Sequence, residues 1–305
     1  MIAAAEDIVL VGRAFEVMAQ LINLFGYGGL TVIVIAISAV IVWNLVTIPE
    51  RTETFFYALL IVIAAAPLWM VRPQKEILVV ILTGASLLVL KLVPLRALQM
   101  AIICALYVLY ADLAGRIYYY LIPLAFILFA AGSFSGGRTR IVLVLGVIAG
   151  LLLAPHSLIA KLNEVRNALD LFVVREHLVH TAWLNPLSGN SVFDFLGNYF
   201  YAAVRINFPI LFHIRAQETF LTIFSIAWLR LLVAGFRSSN PIARMAACLI
   251  AAHMTVEFIF EPDLGSYLRH ISSTVPLILP LLAALDAEQF TRRRMRLTFS
   301  AMENI

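Results

Sequence analysis

The chain has 305 residues, 62% hydrophobic and 13% charged, with a formal net charge of +4 and a mean hydropathy of +0.96. Soluble domains run at about 45–50% apolar and about 25% charged, so this composition excludes a globular cytoplasmic enzyme, a disordered chain and a nucleic-acid-binding module. The basic excess belongs to topology, because lysine and arginine beside membrane helices set their orientation.

The start, Met-Ile-Ala-Ala-Ala-Glu-Asp, lacks the basic n-region of a cleavable signal peptide. Residues 8–25 are amphipathic, with Arg13 and Glu16 interrupting Val9, Leu10, Val17 and Leu21. They read as an interfacial helix, or else as a tenth span. A spanning helix needs about 20 mostly apolar residues. Runs at 28–48, 54–71, 76–93, 97–114, 117–132, 140–159, 217–236, 242–261 and 271–288 meet that need, the fifth only barely. Only helices or closed barrels satisfy every backbone group in lipid. The continuous run from Ile141 to Leu153 has none of the alternation of a barrel strand. The predicted fold is therefore all-α, a polytopic transmembrane bundle of about nine spans. Cys104 and Cys248 lie inside apolar runs and read as packing residues.

Residues 160–216 interrupt the rhythm of short connections. Leu158, Leu162, Val165, Leu169 and Phe172 recur at helical spacing, with Lys161, Glu164, Asn167 and Asp170 between them. This predicts an amphipathic helix on the membrane surface. The turn-rich Asn185-Pro-Leu-Ser-Gly-Asn190 follows. Ser191 and Asp194 then resemble a capping box opening a second interfacial helix, with Phe195, Leu196, Tyr199 and Phe200 on its apolar side. The chain divides into N-terminal membrane helices (1–159), an extracytoplasmic segment (160–216), C-terminal membrane helices (217–288) and a basic tail (289–305).

Orientation follows from the short loops. With the tail arginines 292, 293, 294 and 296 in the cytoplasm, Arg51, Lys91, Arg96, Arg138, Arg140, Arg237 and Arg244 also fall inside. Arg72, Lys75, Arg116 and Arg269 fall outside, and of these Arg72 and Lys75 fit the rule poorly.

Ionisable residues within a membrane are expensive and mark function by default. His253, Glu257 and Glu261, at i, i+4 and i+8, share one helix face. Pro262 and Gly265 break the helix beyond them, and Asp263, Arg269 and His270 follow. The plainer alternative pairs Glu257 with Arg230 or another buried base, makes His253 a satisfied interior histidine and leaves the last three in a solvated loop. His253 with Glu257 is a weak zinc pattern and no His-Glu-x-x-His is present, so no metal is expected. In the long segment, Arg175, Glu176, His177 and His180 precede Arg205, His213 and Arg215. They read either as a snorkelling basic face or as an anion clamp, since arginine grips phosphate bidentately. Asp112 and Arg116, one turn apart, read as a mutual pair. Most of these groups converge on the side of the long segment. The broken midplane helices and paired halves of a transporter are not seen.

The layout of a long outer segment ending in Asn185-Pro-Leu-Ser-Gly-Asn-Ser-Val-Phe-Asp194, three spans, and Gly265-Ser-Tyr-Leu-Arg-His270 running into Val275-Pro-Leu-Ile-Leu-Pro280 resembles bacterial polytopic polysaccharide-assembly proteins. These are the Wzy-like O-antigen and exopolysaccharide polymerases and, more distantly, lipid-carrier-dependent membrane glycosyltransferases. The resemblance covers residues 160–285. It implies a bacterial inner-membrane protein, C-terminus cytoplasmic, that handles an undecaprenyl-diphosphate-linked oligosaccharide at the outer face. No cofactor and no nucleic-acid partner is implied; membrane lipids and other assembly proteins are. Arg175 and Arg269 would meet the diphosphate, with His177, His180 and Glu257 at the substrate site, and Glu261, Asp263 or His270 would activate the acceptor. The chain is short for a polymerase and lacks an acidic first outer loop, since Glu50 and Glu53 fall inside. The alternative expectation is a non-catalytic membrane subunit or lipid-linked-sugar transporter of a polysaccharide export pathway, in which the same residues only bind or pair.

Overall fold

The computed structural model describes residues 2–50, 52–70, 74–160, 162, 183–187, 191–261 and 263–290. These form helices and the turns that join them, without strands. Helix α1 is Ile2–Thr47, α2 Thr52–Ala65, α3 Glu76–Leu92, α4 Arg96–Ala114, α5 Leu121–Phe134 and α6 Gly137–Leu152. After the long segment come α7 (Val192–Asn207), α8 (Ala216–Arg237), α9 (Pro241–Phe260) and α10 (Leu264–Ser272), with α11 at 279–290.

Among the described residues, four helices are both long and apolar enough to cross a membrane: Arg13–Thr47 within α1, α4, α8 and α9. A fifth candidate is the pair Leu264–Ser272 and Val275–Phe290, bent by 62°. The expected runs at 54–71 and 117–132 are shorter apolar helices, Thr52–Leu68 and Tyr118–Phe134. Prolines account for part of the shortening, because proline removes a backbone donor and constrains its neighbour. Pro67 lies in the π-helical turn Ala66–Met70 that continues α2, and α3 stops just before Pro94 with Val93 extended at ψ 120°. At 16 residues, α6 spans about 24 Å, short of a bilayer core of about 30 Å.

Residues 8–25 lie in the first part of α1, which is two helices meeting at a kink: Gly26, with a non-helical φ of 69° and ψ of 156° that suit glycine alone, separates them from the first expected span. The second interfacial helix exists as α7 and is capped as expected, the Ser191 side chain accepting from the Asp194 amide at 3.0 Å. Phe195 is buried on it, but Phe200 is exposed. Asn198 clasps the preceding loop through both Leu187 backbone groups, at 3.0 and 3.1 Å. The amphipathic helix expected over 158–172 falls almost wholly outside the described residues, as does the basic tail.

Helix α9 is the axis of the bundle, packed by α5, α8, α7 and α3. Its small residues Ala246, Ala247 and Ala252 are fully buried and let neighbouring backbones approach. On α8, a Cβ at Gly235 would lie 2.9 Å from both Ala247 Cβ and Leu281 Cγ. The outer surface is greasy instead: α6 has no buried residue, and Ile141, Val142, Val144, Leu145 and Ile148 are all exposed. Apolar side chains outside and ionisable ones inside reverse the usual soluble arrangement.

The two ends differ. Where α5 ends and α4, α6 and α9 begin, the Arg96 and Arg244 guanidinia stand 4.4 and 5.1 Å from the Phe134 ring centroid. Arg140 donates to the Gly132 carbonyl there at 2.8 Å. At the other end, where α4 and α9 stop and α3 starts, acids, bases and tyrosines are buried together.

Candidate functional site

The three α9 residues do face the interior: His253, Glu257 and Glu261 are all buried. The His253 Nε2 lies 2.6 Å from the Tyr107 hydroxyl of α4, and its Nδ1 lies 3.8 Å from Glu257 Oε1. The rings of Tyr107 and Tyr119 meet that imidazole edge-on. His253 is thus a satisfied interior histidine. Glu257 does not pair with Arg230, which instead meets Glu288 at 3.3 Å. The second oxygen of Glu257 is buried without a partner.

Glu261 ends α9 in an extended conformation, its amide still bonded to the Glu257 carbonyl at 2.8 Å. Proline at 262 dictates this, since the residue before proline is pushed out of the helical region. Asp263 then caps α10, its Oδ1 accepting from the Ser266 amide at 2.8 Å. Burial pushes the Asp263 carboxyl above its ordinary range, against the pull of that amide. A Cβ at Gly265 would sit 3.1 Å from the same Oδ1, so the cap prefers glycine there.

Nearly two turns into α10 the chain meets α9 again. His270 is buried, and its Nδ1 is hydrogen-bonded to Glu261 Oε1. Its Nε2 lies 3.3 Å from Nη1 of Arg116. A guanidinium can only donate, so Nε2 accepts and the ring proton sits on Nδ1, donated to the carboxylate. Buried Ser273 and Thr274 return their hydroxyls to the His270 and Ile271 carbonyls at 2.6 and 2.8 Å. Thr83 of α3 ties this corner down by donating to the Ser273 carbonyl at 2.9 Å.

Arg116 reaches this place because Gly115, at φ 63° and ψ 32°, ends α4 in the left-handed region. The turn swings Arg116 away from Asp112 and onto the Tyr118 hydroxyl and His270. The expected Asp112–Arg116 pair is not formed; Asp112 accepts from Tyr120 instead. Lys75, one of the misfits of the loop-charge pattern, stands near this group. Its amine is lowered to about 8 by burial and by the Arg116 guanidinium, with Arg269 adding to the effect. Glu76 beside it is buried and leaves Oε1 unpaired. Arg269 is half-buried on α10, next to His270.

The structure therefore brings together Glu257, Glu261, Asp263, Arg269 and His270 of the expected site. Arg175, His177 and His180 lie outside the described residues. Lys75, Glu76, Arg116, Tyr107 and Tyr118 complete the cluster. Among the described residues, no three His, Cys, Asp or Glu side chains gather in a metal-binding arrangement. A buried carboxylate–imidazole pair fixes the tautomer and makes Nε2 the proton acceptor, while neighbouring cations can meet developing negative charge. No protein-family model, no curated protein and no solved structure matches this chain.

Proposed function

We propose that the protein is a polysaccharide polymerase or glycosyltransferase-like membrane protein acting on a lipid-diphosphate-linked oligosaccharide at the extracytoplasmic face. One observation carries the reading: a buried Glu261–His270 pair stands beside Lys75, Arg116 and Arg269 at one end of an apolar helical bundle. The acceptor hydroxyl oxygen attacks the anomeric carbon, the base takes its proton, and the bond to the diphosphate breaks. The cations meet the charge left on the diphosphate, which hydrogen bonds from guanidinium do well. Arg175, with His177 and His180, joins them from the outer segment on this reading.

The finer topology is part of the proposal: about nine spans, segment 160–216 outside with interfacial helices, the tail in the cytoplasm, and the bacterial inner membrane as location. The gathering of Arg96, Arg140 and Arg244 about the opposite end supports that orientation. Membrane lipids and other assembly proteins are the expected partners.

The second reading, a non-catalytic subunit or a lipid-linked-sugar transporter, draws on the His253–Glu257 pair deep within α9, since intramembrane ionisable groups also mark relays. The fate of lipid-linked oligosaccharides in cells lacking the protein separates the two. Polymerisation predicts single repeat units accumulating at the outer face; transport predicts their retention inside. Unchanged polymer and intermediates would contradict both.

A further inference from the structure

Three cations share one end of the bundle with the acids Glu76, Glu261 and Asp263, yet among the described residues none meets a carboxylate in a direct ion pair. Lys75 precedes α3 with its Nζ 4.6 Å from the Phe15 ring centroid, Arg116 contacts Tyr118 and His270, and Arg269 stands beside His270. Among the described residues none of the three forms an ion pair; the pairs there are Arg230–Glu288, His253–Glu257 and His270–Glu261. Partly buried cations that repel one another are costly without a counter-ion. Burial, and after it the Arg116 guanidinium, lowers the Lys75 amine.

Arg116 also does something the other two do not. Its Nη1 covers the basic nitrogen of His270 at 3.3 Å, while Glu261 holds the ring's other nitrogen. In this arrangement both ring nitrogens of His270 are occupied, Nε2 by the guanidinium and Nδ1 by the carboxylate. A guanidinium gains far more from a phosphate than from a neutral imidazole, because the phosphate offers charge and two parallel bonds.

We propose that Lys75, Arg116 and Arg269 form a binding site for a phosphate or diphosphate group, and that Arg116 couples this site to His270. The bound anion draws the guanidinium off Nε2, and His270 becomes able to accept a proton. The proposal rests on the reading of the protein as acting on a lipid diphosphate. It adds that Arg116 links the arrival of that group to the base, which becomes available only once the anion is bound. Glu261 is then a positioning residue: it holds the tautomer and stabilises the imidazolium that forms.

The groups facing His270 agree with this. Helix α9 brings Glu261 and, farther off, His253; the turn after α4 brings Arg116 and Tyr118; α3 brings Lys75 with Glu76. Asp263 and Arg269 belong to its own element. Among the described residues Arg116 alone hydrogen-bonds Nε2, so its departure dominates the change at the ring.

The test is a titration of the full chain in detergent micelles with isotope-labelled histidine. The chain has six histidines, and His270→Gln assigns the relevant resonance. Without anion, the Nε2 of His270 should report a hydrogen bond from the guanidinium and Nδ1 should carry the proton shared with Glu261. Inorganic pyrophosphate should favour its protonated form by about tenfold, one unit in its midpoint. A polyprenyl diphosphate in the micelle acting at far lower concentration identifies a lipid headgroup as the source; a response to inorganic pyrophosphate alone identifies a free phosphate. Arg116→Met should give the free titration without any anion and abolish the response. Lys75→Met and Arg269→Met should weaken pyrophosphate about tenfold while Nε2 stays covered. An unmoved His270 in the wild-type protein with pyrophosphate would overturn the proposal, and that measurement needs no variant to fold. A clear shift alongside normal oligosaccharide processing in cells lacking the protein would leave the site standing and remove the polymerase reading.

Discussion

Glu261 and His270 are nine residues apart in sequence, but their contact depends on a helix ending at Glu261 and another starting at Asp263. Breaking one partner of a buried pair costs about 3–5 kcal/mol, because the other is left uncompensated. Glu261→Gln should therefore lower thermal stability in detergent. Combined with His270→Gln, it should show a coupling on the order of 1–3 kcal/mol rather than simple addition; additive losses would mean the two residues act separately. Arg269 behaves differently, having no ion pair among the described residues to lose. On the proposed reading, Arg269→Lys accumulates normally in the membrane and loses roughly one to two decades of activity, the worth of a charge-assisted contact of about 1.5–3 kcal/mol. Arg175→Lys should do the same. Polymer of wild-type amount and length in both would remove the clamp. The sequence made the α9 face legible through its four-residue spacing. It misplaced Arg116, because the attractive local partner Asp112 lost to His270, 154 residues away. Gly115 was the available signal, a glycine positioned to turn the chain after an apolar run.

At the scale of elements, caps and breaks were easier to read than lengths. Ser191 opens α7 and Pro262 follows the end of α9 where local chemistry demands. The amphipathic stretch 8–25 and the first apolar run read as separate segments, and the chain does break between them, at Gly26. The Asp263 cap offers a pH-dependent test. Its folded carboxyl titrates above the ordinary value, so the folded state holds the proton more tightly than the unfolded one. That contribution is complete below the unfolded value and is lost as pH rises through the folded one. Asp263→Asn keeps the cap without the charge. It should gain on the wild type in melting temperature as pH rises through that window, whereas Asp263→Ala should lose about 1 kcal/mol of cap throughout. An Asn variant with no pH-dependent difference from wild type would show that the carboxyl is ordinary. Between α8 and α9 the constraint is volume: Gly235→Ala forces a Cβ into Ala247 and Leu281. Overpacking of this kind costs about 1–3 kcal/mol, readable as a lower melting temperature, and an unchanged one would mean the helices part freely.

For the whole molecule, composition alone placed the chain among helical membrane proteins, and the all-helical bundle with its apolar exterior agrees. Helices of 17 residues or fewer, such as α3 and α6, are where counting apolar runs loses its force. A run of that length satisfies lipid only with neighbours, tilt or thinning. Lys75 shows the same lesson for charge: a lysine that spoils the loop pattern lies beside the buried acid–base cluster. The proposed orientation predicts that Leu187→Cys, on a background lacking Cys104 and Cys248, is labelled from outside intact cells. Labelling only after lysis would reverse the bundle. The central claim is that His270, held by Glu261, serves glycan transfer at the outer face. Its most direct test is the length distribution of lipid-linked oligosaccharides in cells carrying His270→Gln at wild-type membrane abundance. The account predicts single repeat units accumulating at the outer face in place of polymer. Polymer of wild-type length and amount would contradict it.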